Sequence, residues 1–277
     1  MASPSPRPAR EPIFNLPFVV LASILVLVGI QLVRDVALSD VGDLQFILDW
    51  AVVPARWAVA YGGARPEDIL AGVAGSSANG DPSFQLEVAR YILAEGGAKP
   101  WTAVTYAFLH GSWTHVVLNC VWLAAFGTPV ARRCGAWRFL VLGLASAVGG
   151  ALAHVLIYPY QVLPLVGASA GISGMMAAAA WFMFAPAPWL LEGRLADPHE
   201  RPREALVDIV RNQRVLIFLA VWLGSNFLSS VLAQPLGLTD ASIAWEAHVG
   251  GFLVGLVLFP FLDPLDPRPV GSSLKRT

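Results

Sequence analysis

The stretch Phe139–Leu191, FLVLGLASAVGGALAHVLIYPYQVLPLVGASAGISGMMAAAAWFMFAPAPWLL, runs for 53 residues without an Asp, Glu, Lys or Arg. About 20 apolar helical residues cross a bilayer core, so this stretch has room for two crossings. Its middle, Tyr158-Pro-Tyr-Gln-Val-Leu-Pro164, carries two prolines and reads as the turn between them. Working outward, charge-free runs recur at 12–33, 100–131, 215–239 and 247–262. The pattern predicts six helical spans, at about 13–34, 112–131, 136–157, 168–187, 213–233 and 244–262. The whole chain of 277 residues is 56% hydrophobic and only 13% charged, where a soluble domain carries about 25% charge. Its mean hydropathy is +0.61. These figures exclude a disordered chain, a basic nucleic-acid binder and most soluble enzymes, and they point to a polytopic, all-α membrane protein. Cys120 and Cys134 are too few for a disulfide framework, and no zinc-ligand spacing is present, so no metal and no cofactor is expected.

Orientation follows from the basic residues. Arg7 and Arg10 precede the first span, Arg132, Arg133 and Arg138 lie between the second and third, and Arg194, Arg201, Arg203, Arg211 and Arg214 lie between the fourth and fifth. Arg268, Lys275 and Arg276 follow the last. The short connections 158–167 and 234–243 have none. Both termini are therefore expected in the cytoplasm, as tails 1–11 and 264–277 around a membrane domain at 12–263. The N-terminal apolar run is too long for a typical signal peptide and is read as a retained span. Residues 188–212 form a cytoplasmic loop, read as a solvated connector. Residues 35–111 form a long external loop, too large for a simple connection. Within it, 44–61 and 83–95 read as amphipathic helices and Gly72–Asp81 as a flexible surface stretch.

Polar side chains inside spans are costly and often functional. His115 and Asn119 stand four apart and share a helix face. Gly167-Ala-Ser169 opens the fourth span, and His248, Gly251 and Gly255 share a face of the sixth. The second, fourth and sixth spans all run inward, so His115, Ser169 and His248 are expected at one shallow depth below the outer face. A hydroxyl, an imidazole base and polar donors at one depth suit acyl transfer. Ser169 would be the nucleophile and His248 its base. His115, Asn119 and the Ser169 backbone N–H would form the oxyanion hole. Glu246 stands on the wrong face to orient His248, so a Ser-His dyad is expected rather than a triad. Each feature also has a plain reading. Gly171, Gly174, Gly251 and Gly255 suit close helix packing, His154 a structural role at the end of the third span, and Asn226 a helix-to-helix hydrogen bond.

The motifs together resemble the rhomboid family of intramembrane serine proteases. HxxxN on the second helix is His115/Asn119, G-x-S opening the fourth is Gly167-Ala168-Ser169, and HxxGxxxG on the sixth is His248/Gly251/Gly255; His110 also fits. The resemblance covers about 100–262. It implies a bacterial-type six-helix core in a plasma membrane and cleavage of single-span membrane proteins near the outer face. Transmembrane substrates and the lipid bilayer would be its partners, with no nucleic acid. Departures are visible. Ala170 follows Ser169 where the family has Gly, and a literal G-x-S-G occurs at Gly171-Ile-Ser173-Gly174, which makes Ser173 the second choice of nucleophile. Trp101-Thr102 replaces a Trp-Arg pair, and Ala131-Arg132-Arg133 replaces an acidic-x-Arg motif. The alternatives are a catalytically inactive rhomboid-like binder and, less in keeping with the pattern, a transporter. A zinc protease would need HExxH, which is absent.

Overall fold

Glycine sets the centre of the molecule. In the computed structural model, which describes residues 16–75, 82–184, 190–191, 194–195, 197–201, 203–232 and 244–265, the chain is helical almost throughout. It begins with α1 (Phe18–Ala37), α2 (Asp40–Trp50), α3 (Pro54–Tyr61), α4 (Pro66–Ala74), α5 (Pro82–Glu95) and the single turn α6 (Thr102–Thr105). Next come α7 (Trp113–Trp122), a π-helical stretch Leu123–Gly127 that carries it on into α8 (Thr128–Cys134), and α9 (Ala136–Ile157). The chain continues with α10 (Ser169–Ala180), α11 (Leu206–Ile209), α12 (Gln213–Leu232) and α13 (Trp245–Leu262). Among the described residues four helices are long and apolar enough to cross a membrane: α1, α7 with α8, α9 and α13. Large apolar side chains such as Val257 and Phe261 face outward from them, as lipid contact requires.

α10 is the axis. Every residue from Ala170 to Ala180 is buried, enclosed chiefly by α9 and α13. A Cβ on Gly251 would lie 2.1 Å from the Ala170 carbonyl oxygen, and one on Gly255 would lie 2.3 Å from that of Gly174. The two backbones therefore touch, as small-residue seams permit. Gly174 in turn rests on Ser146 of α9, and Gly171 on the Gly143 carbonyl. At 1.5 Å per residue α10 is about 18 Å long, short of the roughly 30 Å of a bilayer core. The apolar pattern predicts a full span over 168–187. The helix instead ends at Ala180, followed by turns to Phe184, and Pro186 and Pro188 follow in the sequence, where a pre-proline residue disfavours helix.

The segment 35–111 differs from expectation in two places. The single helix expected at 44–61 is two, α2 and α3, because Pro54 at the first turn of α3 forces Val53 into extended backbone. At this break Val52 pairs with Leu165, whose N–H donates to the Val52 carbonyl at 2.8 Å. This segment is thus fastened to the one that leads into α10. The stretch read as flexible from Gly72 is helical to Ala74, in α4; residues 76–81 lie outside the described residues. With Leu48, Ile69, Val73, Val88 and Ile92 the loop builds its own apolar core.

On the opposite side, Arg133 of α8 and Asp263, just after α13, form a fully buried bidentate pair with contacts of 2.7 and 2.8 Å. Arg133 Nη1 also donates to the His199 and Arg201 carbonyls, and the guanidinium lies 4.7 Å from the Phe182 ring centroid. The acid that pairs with Arg133 is thus Asp263, 130 residues away in sequence. The connector read as solvated is in part packed. Glu204 N–H donates to the Trp181 carbonyl, Arg203 donates to the Pro260 carbonyl, and Ile209 is buried. A desolvated arginine needs these acceptors.

The glycine seam generates a prediction. Gly255→Val destabilises the protein by about 3 kcal/mol or more through overpacking against a backbone that cannot yield. Gly224→Ala on α12, where nothing lies within 4 Å, stays within about 1 kcal/mol. Thermal unfolding in detergent compares the two.

Candidate active site

Ser169 is the first residue of α10, and its position is set by the segment before it. Gly167 has φ of +122°, which only glycine adopts readily. A Cβ there would also strike His115, 2.8 Å from Cε1 and 2.9 Å from Nε2. The Gly167 N–H donates to the Tyr106 carbonyl at 3.0 Å. The Tyr106 hydroxyl donates to the Ala147 carbonyl of α9 at 2.7 Å. Gly167 thus brings the start of α10 against the His115 ring, with Ser169 Oγ 3.7 Å from the Cβ a residue there would carry.

His248 of α13 faces Ser169 across the glycine seam, with Nε2 2.7 Å from Ser169 Oγ. On its other side His248 Nδ1 contacts Asn226 Oδ1 of α12. Asn226 Nδ2 donates to the Trp222 carbonyl of its own helix at 2.8 Å. The only sequence signal for Asn226 is an amide within an apolar helix, which does not name its partner. Glu246 turns away from His248, as its place on the helix implies, and lies 2.5 Å from His154 Nδ1 of α9, both side chains buried.

The remaining candidates fall around this pair. His115 lies in the first turn of α7, which is capped by Ser112 Oγ accepting from the His115 N–H. Asn119 is buried and its Nδ2 donates to the His115 carbonyl at 3.0 Å, which uses one of its two protons; the described hydrogen bonds do not join it to Ser169 or His248. Ser173 Oγ donates to the Ser169 carbonyl at 2.8 Å and so serves its own helix. His110 packs edge-on against His115, ring centroids 4.9 Å apart, and burial, with the neighbouring His115 and Arg34, holds its pKa far below the ordinary value. It is neutral, and its Nε2 accepts from the Ala168 N–H at 3.5 Å. Arg34, which carries no motif in the sequence, donates to the His110 carbonyl at 2.8 Å.

The departure at Ala170 has a packing counterpart. A Cβ on Gly150 of α9 would lie 2.4 Å from the Ala170 methyl, so the methyl occupies space that Gly150 leaves. At the other departure, Thr102 Oγ1 donates to the Lys99 carbonyl at 2.7 Å.

The rhomboid domain model matches residues 97–263 of the chain. The chain belongs to the rhomboid family. Rhomboid protease GlpG of Klebsiella pneumoniae subsp. pneumoniae is 27% identical over 189 residues, covering 68% of this chain and 53% of the relative. Rhomboid protease GlpG of Yersinia pestis, strain Pestoides F, is 30% identical over 159 residues, covering 57% of this chain and 46% of the relative. The chain spans about half the length of the curated relatives it matches. Family and apolar helices together make this rhomboid an integral membrane protein.

The buried His154–Glu246 pair gives the prediction for this region. His154→Leu leaves the Glu246 carboxyl buried without its partner and costs about 3–5 kcal/mol. His154→Leu combined with Glu246→Leu regains most of that loss, which a double-mutant cycle of unfolding midpoints reads.

Proposed function

We propose that this rhomboid is an intramembrane serine endopeptidase with Ser169 as nucleophile and His248 as general base. The observation that carries the reading is the 2.7 Å contact between His248 Nε2 and Ser169 Oγ, made by two helices that touch backbone to backbone. Ser169 Oγ attacks the carbonyl carbon of a substrate peptide bond while its proton passes to His248 Nε2. The proton then goes to the departing amide nitrogen as the C–N bond breaks. Water, activated by the same imidazole, releases the acyl group from Ser169 and restores the hydroxyl. The charge on the tetrahedral oxygen needs donors. The Ser169 N–H is in the first turn of α10, where no intrahelical acceptor exists, and the His115 ring adjoins it across Gly167; Asn119 is the third candidate.

The substrates are transmembrane segments of other membrane proteins, cut near the outer face. The proposed architecture is six spans within 12–263, with tails 1–11 and 264–277 in the cytoplasm of a bacterial cell and 35–111 outside. The short α10, entered through a loop pinned by Val52 and Leu165, supports a nucleophile recessed in the bundle rather than on its surface. The names of the relatives support proteolysis as the activity. Ser173 is less suited as nucleophile because its hydroxyl proton goes to the Ser169 carbonyl.

The test is cleavage of a model single-span substrate by the protein in liposomes. Ser169→Ala and His248→Ala lower turnover by on the order of 10⁴-fold or to background, Ser173→Ala retains turnover, and a fluorophosphonate labels Ser169 alone. Cleavage that survives Ser169→Ala overturns the nucleophile. A wild-type protein that binds such substrates, cuts none and takes no label is an inactive binder.

A further inference from the structure

We infer that Asn226 is the positioning residue of this site: its amide, locked by its own helix, holds the His248 ring in the tautomer that can take the Ser169 proton. The inference rests on the proteolytic reading for its consequence, but its geometry is independent of it.

The direction of each hydrogen bond is fixed by elimination. The Trp222 carbonyl can only accept, so the Asn226 group 2.8 Å from it is the Nδ2 amine. Asn226 Oδ1 is then the atom that faces His248 Nδ1. An amide oxygen only accepts, so Nδ1 carries the hydrogen. A neutral imidazole has one N–H, which leaves the Nε2 lone pair directed at Ser169 Oγ, 2.7 Å away. Ser169 to His248, His248 to Asn226 and Asn226 to Trp222 form one chain of donors, all pointing the same way. Reversing the imidazole would set a lone pair against the Asn226 oxygen and turn Nε2 into a donor to the serine oxygen, with no lone pair left to take the serine proton.

The register that makes this possible is visible one turn away. Trp222 stacks on Phe252 of α13, ring centroids 4.9 Å apart and planes 29° from parallel. Trp222 and Asn226 are four apart on α12, and His248 and Phe252 are four apart on α13, so the aromatic stack and the amide contact lie on the same facing seam. No carboxylate competes for the role among the described residues, since Glu246 is engaged by His154. The site is therefore a Ser-His-Asn relay carried on α10, α13 and α12, where the sequence suggests a dyad. A neutral amide selects the tautomer without placing a charge beside the ring.

Asn226→Leu keeps side-chain volume in an apolar setting and removes the acceptor; Asn226→Asp keeps the acceptor. With the model single-span substrate, Asn226→Leu lowers kcat on the order of 10²-fold with KM within about twofold, and Asn226→Asp recovers most of it. Histidine ring ¹⁵N NMR of the whole protein in micelles, with His248 assigned by its loss in His248→Gln, reads the tautomer directly. The wild type shows protonated Nδ1, and Asn226→Leu shifts the population toward protonated Nε2. Ring signals that stay unchanged in Asn226→Leu overturn the inference, as does a kcat loss that Asn226→Asp fails to recover. Should the wild type neither cleave substrate nor take a fluorophosphonate label, the proteolytic reading fails, and the ring signals alone decide the role of Asn226.

Discussion

The contact between the backbones of α10 and α13 is the constraint on which the rest depends. Gly251 and Gly255 lie against the carbonyls of Ala170 and Gly174 with no room for a Cβ. At that spacing, side chains flanking the seam meet directly instead of through a layer of packing. The 2.7 Å separation of Ser169 and His248 is a consequence of it. Larger residues would hold the helices at the 8–10 Å of ordinary helix packing. The imidazole and the hydroxyl would then be out of reach, whatever their chemistry.

Around that seam the molecule supports many of the polar groups it buries. His154 engages Glu246, Asp263 engages Arg133, Tyr106 ties both Gly167 and Ala147, and Arg34 holds the backbone at His110. Low dielectric makes an unpartnered group expensive and a partnered one rigid. The polar residues of this apolar chain therefore act as joints between helices. The ones near Ser169 fix geometry, and those at the far end fix the connector and the last turn.

Much of this is legible in the sequence. The charge-free runs place α1, α9 and α13 within a few residues, because burial in lipid leaves no other option for the backbone. Helical spacing puts His115 with Asn119 and His248 with Gly251. What escapes depends on the third dimension or on a local signal outweighed by the apolar pattern. Pro54 breaks 44–61, yet the amphipathic pattern runs through it. α10 reads as a full span because the apolar run continues through Trp181 and Phe182 after the helix has ended. The partners of Asn226, Glu246 and Arg133 are 22, 92 and 130 residues away in sequence. Helical periodicity carries no information at such separations.

The order of these residues along the chain has a consequence for assembly. Ser169 is made before Asn226, and both before His248; Arg133 waits 130 residues for Asp263. A nascent chain that has threaded everything up to α12 holds the hydroxyl but not the imidazole, and holds an arginine destined for burial without its acid. The two ends of the bundle close together, on arrival of α13. Insertion of α13 is thus the event that joins the seam, brings the His248 imidazole to Ser169 and neutralises Arg133. A partly synthesised molecule holds Ser169 without the imidazole that faces it and Arg133 without the acid that pairs with it.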